Sequence, residues 1–197
     1  MTKPSSPATA GVREAGADDA AAVARVHVDS WKTAYQGLLP DEVLSRLSYE
    51  ERASKWAAIL GSPKPREFTL VAVEGQDIVG FASGGPERKG LPDYQGELYA
   101  LYVLHRGRGI GTRLFGSALA RLRQAGVSGM VVWVLEDNPH RRFYVKMGGQ
   151  LCARGRHAIG GQDYATVAYG WKDLAACPEH RSGSGEAGRA AERPERE

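Results

Sequence analysis

The sequence predicts one α/β domain, or a mixed α+β one, built on a single central sheet flanked by helices. Three observations carry that expectation. Apolar residues recur alternately at helical and at strand spacing between about residues 11 and 174. A strand-like run passes through a glycine-rich turn straight into a helix at residues 102–112. The length of 197 residues fits one domain with spare ends, since domains run roughly 100–200 residues.

Residues 1–10 are rich in Pro, Ser and Thr and read as a flexible lead-in. Asp18 is a helix N-cap candidate, followed at helical spacing by Ala21, Ala22 and Val26 as far as about Ala34. Pro40 and Asp41 open a second helical stretch with Val43, Leu44 and Leu47 and, after a break, Trp56 and Leu60. Residues 68–73 and 78–83 are strand-like, and the turn signal at 75–77 makes them a hairpin. A loop rich in Gly and Pro, residues 84–93, leads into a strand at 97–103.

Residues 106–111 then open a helix with Leu114, Ala118, Leu119 and Leu122 on one face, and Gly126 suits its C-cap. Residues 130–135 form a strand, 141–147 a short helix, and 151–156 and 164–171 two closing strands. The domain is expected over 11–174. The tail from Pro178 has no large apolar residue, so it buries too little to offset its ordering entropy, and 175–197 is expected to be disordered.

Composition removes several classes. With 26 Lys and Arg against 23 Asp and Glu, the net charge is +3. That does not make a nucleic-acid binder, but it suits a small anionic ligand. The two cysteines, Cys152 and Cys177, exclude a disulfide scaffold and a multi-Cys zinc site, and no metal is expected. There is no signal-like apolar run near Met1 and no apolar stretch of the roughly 18 residues a membrane span needs. The expected compartment is the cytoplasm.

The most informative segment runs from Tyr102 to Thr112. Gly107, Gly109 and Gly111 alternate immediately before a helix. The first amides of a helix lack internal partners and carry partial positive charge, and glycine lets an anion approach them. Arg106 and Arg108 add charge-assisted contacts. A tight structural turn is the plainer reading of the same residues. A P-loop requires Lys and then Ser or Thr after the last glycine, where this chain has Thr112 and Arg113. A dinucleotide fingerprint requires glycine at Thr112 and an acid about twenty residues on, where residues 130–133 are apolar.

Arg106-x-x-Gly109-x-Gly111, after a strand and opening a helix, resembles the pyrophosphate loop of the GNAT superfamily of N-acetyltransferases. Asn138-Pro139-x-Arg141-x-Phe143-Tyr144-x-x-x-Gly148-Gly149 resembles its second cofactor segment, and the order of elements is similar over about residues 11–174. The resemblance implies a mixed sheet whose two central strands splay apart around the pantetheine arm of acetyl-CoA. Leu101, Tyr102 and Val103 would flank that arm, and Arg108, Gly109, Ile110, Gly111 and Thr112 would cradle the pyrophosphate. Only Leu104 and His105 separate Val103 from Arg106, fewer than in many members. The carbonyl-binding amide is therefore that of Val103 or of Leu101.

The resemblance also implies roles in catalysis. Strict alternation puts Glu97 on one strand face with Tyr99, Leu101 and Val103. Glu97 is the candidate general base, direct or through water, or else a solvated carboxylate at a strand end. His105 and His140 are fallback bases. Tyr144 aligns with the family's general acid, or packs its ring. Asn138 bonds the cofactor or a strand end, or caps a helix. Asp29, Trp31 and Tyr35 join the first two helices, where the family builds its acceptor pocket, although a Trp–Tyr pair four apart also suits core packing. Trp133 and Trp171 read as core.

The expected reaction is direct acetyl transfer to a primary amine of a small molecule such as an amino acid, polyamine or aminated antibiotic. Neither cysteine lies in the motifs, which argues against a covalent intermediate. A non-catalytic acetyl-CoA sensor, a protein lysine or N-terminal acetyltransferase, and an RNA-contacting basic loop are the rivals. A homodimer by edge-strand pairing suits such folds.

Overall fold

The computed structural model describes residues 10–177. Seven strands form one sheet: β1 (Gly11–Glu14), β2 (Phe68–Glu74), β3 (Asp77–Pro86), β4 (Gly96–Val103), β5 (Met130–Leu135), β6 (Gln150–Ile159) and β7 (Gln162–Trp171). Their order is β1-β2-β3-β4-β5-β7-β6, and every neighbouring pair is antiparallel except β4 with β5. The helices are α1 (Ala20–Ala34), α2 (Asp41–Ser45), α3 (Tyr49–Gly61), α4 (Ile110–Gln124) and α5 (Arg141–Lys146). Among the described residues no helix is long and apolar enough to cross a membrane.

The expected lead-in up to residue 9 and the tail from Pro178 lie outside the described residues. Ala10, placed in that lead-in from composition, is instead buried in the main core. Residues 175–177, placed in the tail, form a fastened turn: Cys177 N donates to Leu174 O at 3.3 Å, and Arg123 Nη2 donates to Cys177 O at 2.7 Å.

Asp18 does not cap α1. A 3₁₀ turn, Ala17–Asp19, precedes the helix, and its neighbour Asp19 closes it. Asp19 Oδ2 accepts from Gly16 N at 2.8 Å, while Arg13 donates to the two carboxylate oxygens at 2.6 and 2.9 Å. The second helical stretch is two helices, and Ser48 Oγ caps the longer one by accepting from Glu51 N at 3.2 Å.

Alternation assigns the sheet's faces. Leu70, Ala72 and Ala82 pack with Leu114, Phe115, Leu119 and Leu122 of α4. Val71, Ile78 and Phe81 pack with Val23 and Val26 of α1 and Trp56 of α3 on the other side. Leu114 and Phe115 are wholly buried, and truncating such a side chain costs about 2–5 kcal/mol.

Two irregularities in β4 set the site. Ser83 stands opposite Ala100 while Gly84 stands opposite Leu98, so Tyr99 is an extra residue, a β-bulge. It reverses the alternation: Leu98 shares the α4 face with Leu101 and Val103, while Ala100 and Tyr102 face α1 and α3. Glu97 therefore lies opposite the face that strict alternation gave it. The second irregularity is a splay. β4 and β5 pair only at Gly96–Met130, Glu97–Val131 and Leu98–Val132. Beyond Leu98, β4 stays on β3 as far as Val103 and β5 stays on β7 as far as Leu135, leaving a wedge between them.

Candidate active site

A cavity of about 800 Å³ fills that wedge. Leu101, Tyr102 and Val103 line it from β4; Arg106, Gly107 and Gly109 from the loop; and Ile110, Gly111 and Thr112 from α4. Trp133 faces them from β5, Asn138, His140 and Tyr144 from around α5, and Asp29, Ser30 and Tyr35 from α1 and its end. Of the expected site residues, Glu97, Trp31 and Arg108 do not line the cavity.

The loop takes its shape from glycine. Gly107 and Gly109 have φ of +77° and +72°, a left-handed backbone that costs other residues roughly 1–2 kcal/mol. Gly109 in that conformation is the N-cap of α4 and turns the chain abruptly into the helix. The amides of Ile110, Gly111 and Thr112 then have no acceptor within the helix, and all three residues face the cavity. No acidic side chain occupies that first turn. The residues present thus fit a pyrophosphate.

The edge of β4 freed by the splay carries further donors. Leu104 N donates to Val79 O at 2.9 Å, on the β3 side. Two-residue alternation consequently turns the amides of both Val103 and Leu101 toward the wedge. Either can meet a carbonyl there.

Three phenols gather at the wall. Trp31 Nε1 donates to Tyr102 Oη at 2.9 Å, and the hydroxyls of Tyr102 and Tyr35 are 3.4 Å apart. Burial raises the pKa of Tyr144, with Tyr35 adding to the effect. Tyr102 is raised well above the usual range by burial, and then by Tyr35. Burial also raises Tyr35, offset in part by hydrogen bonds to Tyr102 and Asn138. All three stay protonated at neutral pH. Asn138 Oδ1 accepts from His140 N at 2.9 Å, so this side chain both caps the turn before α5 and meets Tyr35. His140 is lowered by burial and then by Arg106, which keeps it neutral.

The charged residues are arranged differently from expectation. Arg108 pairs with Glu74 at 2.9 Å, on the outer side of the loop. Glu97 is 2% exposed and bound to Arg88: Nη2 donates to Oε1 at 2.6 Å, and the backbone N and Nε donate to Oε2 at 3.2 and 3.1 Å. The bulge at Tyr99, invisible to period-two reasoning, moves Glu97 to the other face of β4, and its pairing opposite Val131, before the strands part, keeps it out of the cavity lining.

Several cavity residues were not anticipated. Tyr99 lines it with its hydroxyl donating to Pro86 O at 2.8 Å. Trp133, read as core, lines it too, and its Nε1 and the Oγ of Ser30 are buried without a partner. Trp171 is core, donating to Met147 O at 2.9 Å. The position of Trp133 beyond the last β4–β5 pair was the missing signal.

Known proteins agree with this geometry. Residues 28–149 match the family model of the acetyltransferase (GNAT) family. The chain is 39% identical over 170 residues to YuaI, an uncharacterized N-acetyltransferase of Bacillus subtilis (strain 168), covering 84% of this chain and 94% of that one. A GCN5-related N-acetyltransferase from Rhodopseudomonas palustris superposes with a TM-score of 0.65 at 26% identity, covering 85% of this chain and 98% of the other. The fold of yncA, a putative acetyltransferase from Salmonella typhimurium determined with its cofactor acetyl-CoA, gives a TM-score of 0.60 at 20% identity, covering 89% and 98%. The splayed mixed sheet, the glycine loop and these matches together place the chain in the GNAT family of acetyltransferases, as an acyltransferase enzyme.

Proposed function

We propose that this enzyme moves an acetyl group from acetyl-CoA directly to the primary amine of a small molecule, with Tyr144 as the proton donor. One observation carries the reading. The wedge between β4 and β5, the free amides at the start of α4 and the Tyr144 hydroxyl share a single cavity. The acetyl-CoA recorded with the Salmonella protein of the same fold supports the choice of donor. Bound acetyl-CoA supplies an activated thioester. Arg106 and the amides of Ile110, Gly111 and Thr112 hold its pyrophosphate, and Val103 or Leu101 polarises the carbonyl.

Tyr144, kept neutral by burial, gives its proton to the departing thiolate. Asp29, at the cavity wall and accepting from Tyr49 Oη at 2.6 Å, attracts the incoming ammonium. Glu97 has a bracing role in place of the direct base role expected of it, because Arg88 occupies both its oxygens. The ammonium sheds one proton to solvent before its lone pair attacks the thioester carbonyl, and the second proton leaves the nitrogen as the C–S bond breaks, restoring the one Tyr144 gave to the thiolate. We place the enzyme in the cytoplasm, and the edge strand β6 with Leu151 half exposed favours a homodimer.

The test is a melting curve with and without acetyl-CoA, followed by thiol release across an amine panel. Saturation at about a hundred times Kd adds roughly 2.7 kcal/mol. No shift at millimolar acetyl-CoA sinks the reading. A shift without turnover on any amine favours the sensor.

A further inference from the structure

We infer that the acceptor carries its own carboxylate, and that Lys89 and Arg88 form the subsite that binds it. The inference rests on the acetyl-transfer reading and names the substrate class of the same cavity.

Lys89 Nζ sits 3.8 Å from the ring centroid of Trp133, and the Arg88 guanidinium sits 3.7 Å from that of Tyr99. Both rings line the cavity. The two cations thus rest on rings that line the cavity, at its border and not among its lining residues, and each ring face attracts the charge. Arg88 is neutralised by Glu97. Lys89 makes no ion pair among the described residues, so the pair of cations leaves one positive charge uncompensated.

The loop bearing these cations is built to hold them. Glu87 Oε1 accepts from Lys89 N at 2.7 Å, and Oε2 accepts from Gly90 N at 2.7 Å and Leu91 N at 3.1 Å. Glu97 fixes Arg88 through its backbone N as well as its guanidinium. Two carboxylates therefore lock the backbone, while the Lys89 ammonium is left with an aromatic face and no anion. An ammonium held by an aromatic face keeps donors free for an oxyanion. The cavity wall carries Asp29, which suits an amine, and the unpartnered buried hydroxyl of Ser30. A carboxylate on the cavity wall and an ammonium at its Trp133 border select a zwitterion over a polyamine, whose second ammonium would meet Lys89.

The probes are L-amino acids, each assayed beside its carboxamide and its decarboxylated amine. The carboxylate form is expected to win by at least about tenfold in kcat/KM, the worth of one charge-assisted bond. Lys89→Gln should raise KM for the carboxylate form about tenfold, leave the carboxamide's KM and that of acetyl-CoA unchanged, and be rescued in part by Lys89→Arg. Equal rates for all three forms overturn the inference. So does an equal loss on all three in Lys89→Gln, or a failure to acetylate any amino acid while another amine of the panel is acetylated. If acetyl-CoA gives no shift, the acetyl-transfer reading itself falls, and the inference with it.

Discussion

Glu97 and Arg88 form a two-point ion pair, with Nη2 on Oε1 at 2.6 Å and Nε on Oε2 at 3.1 Å. The carboxylate is buried while the guanidinium is half exposed and lies on the Tyr99 ring. The bulge at Tyr99 creates this pairing, because it turns Glu97 away from the face of Leu101 and Val103.

Glu97→Gln removes the charge without removing the volume. Stability should fall by about 1–3 kcal/mol, since one partner is buried and the other is screened by water. Loss of a general base costs roughly 10²–10⁴ in rate, whereas loss of a brace should lower kcat less than about tenfold and act mainly on the acceptor KM. Arg88→Gln should produce the same pattern. A thousandfold loss of kcat in Glu97→Gln beside a nearly normal Arg88→Gln would restore the base role.

The two arginines of the loop should separate in acetyl-CoA titrations. Arg106 lines the cavity, while Arg108 is paired with Glu74 at 2.9 Å. Charge-assisted hydrogen bonds are worth about 1.5–3 kcal/mol, so Arg106→Ala should weaken acetyl-CoA binding by at least about tenfold. Arg108→Ala should change it less than about threefold. The reverse order, measured calorimetrically, would show that Arg108 leaves Glu74 for the ligand.

Much of this was legible in the sequence for a physical reason. Elements with strong local signals read well: residues 130–135 coincide with β5, and Gly126, with φ of +76°, follows α4 as a C-cap glycine does. The glycine loop read well because the left-handed backbone at positions 107 and 109 favours glycine. What failed depended on neighbours distant in the chain. The bulge at Tyr99 arises from pairing with Ser83 and Gly84, and nothing local to Glu97 announces it. Trp133 sits in an apolar run and reads as core, yet the splay leaves it at the cavity. Lys89 lies in a loop whose shape comes from the Glu87 carboxylate, a side-chain effect that periodicity does not see.

His27 should make the fold sensitive to acid. It stacks on Tyr102 with centroids 5.2 Å apart, and its Nδ1 accepts from Trp56 Nε1 at 3.2 Å. Burial, aided by Arg52, pushes its pKa down to about 3. The folded state therefore disfavours the protonated ring. The associated stability is complete above the unfolded pKa near 6.5 and is lost progressively as pH falls toward about 3. Urea unfolding across that window should show the decline, and His27→Gln should flatten it. A slope unchanged in the variant would assign the effect to other groups, His140 included.

Alkali should act through the tyrosines with the opposite sense. Tyr99 is pushed up to about 12 by burial, and Tyr102 and Tyr144 are raised by the same cause. Unfolded tyrosines ionise near 10. Stability from these rings is complete below that value and is lost as pH climbs through it toward the folded pKa values. The last part of the phenolate absorbance, that of the buried rings, should therefore appear together with loss of near-ultraviolet circular dichroism. Full ionisation of a still-folded protein would contradict the burial.

Tyr144→Phe tests the chemistry most directly. The ring packs against Phe143 with centroids 5.3 Å apart, so phenylalanine keeps the packing and deletes only the hydroxyl. Removing a positioned acid slows reaction by roughly 10²–10⁴. We expect kcat to fall within that range, with the acetyl-CoA melting shift intact, because the pyrophosphate contacts lie on the loop and α4. The deficit should shrink for an acyl donor whose thiol leaving group has a lower pKa, since a more stable thiolate needs less protonation as it departs. If the loss is the same for every leaving group, Tyr144 orients its neighbours Tyr35 and Tyr102 and donates no proton to the thiolate.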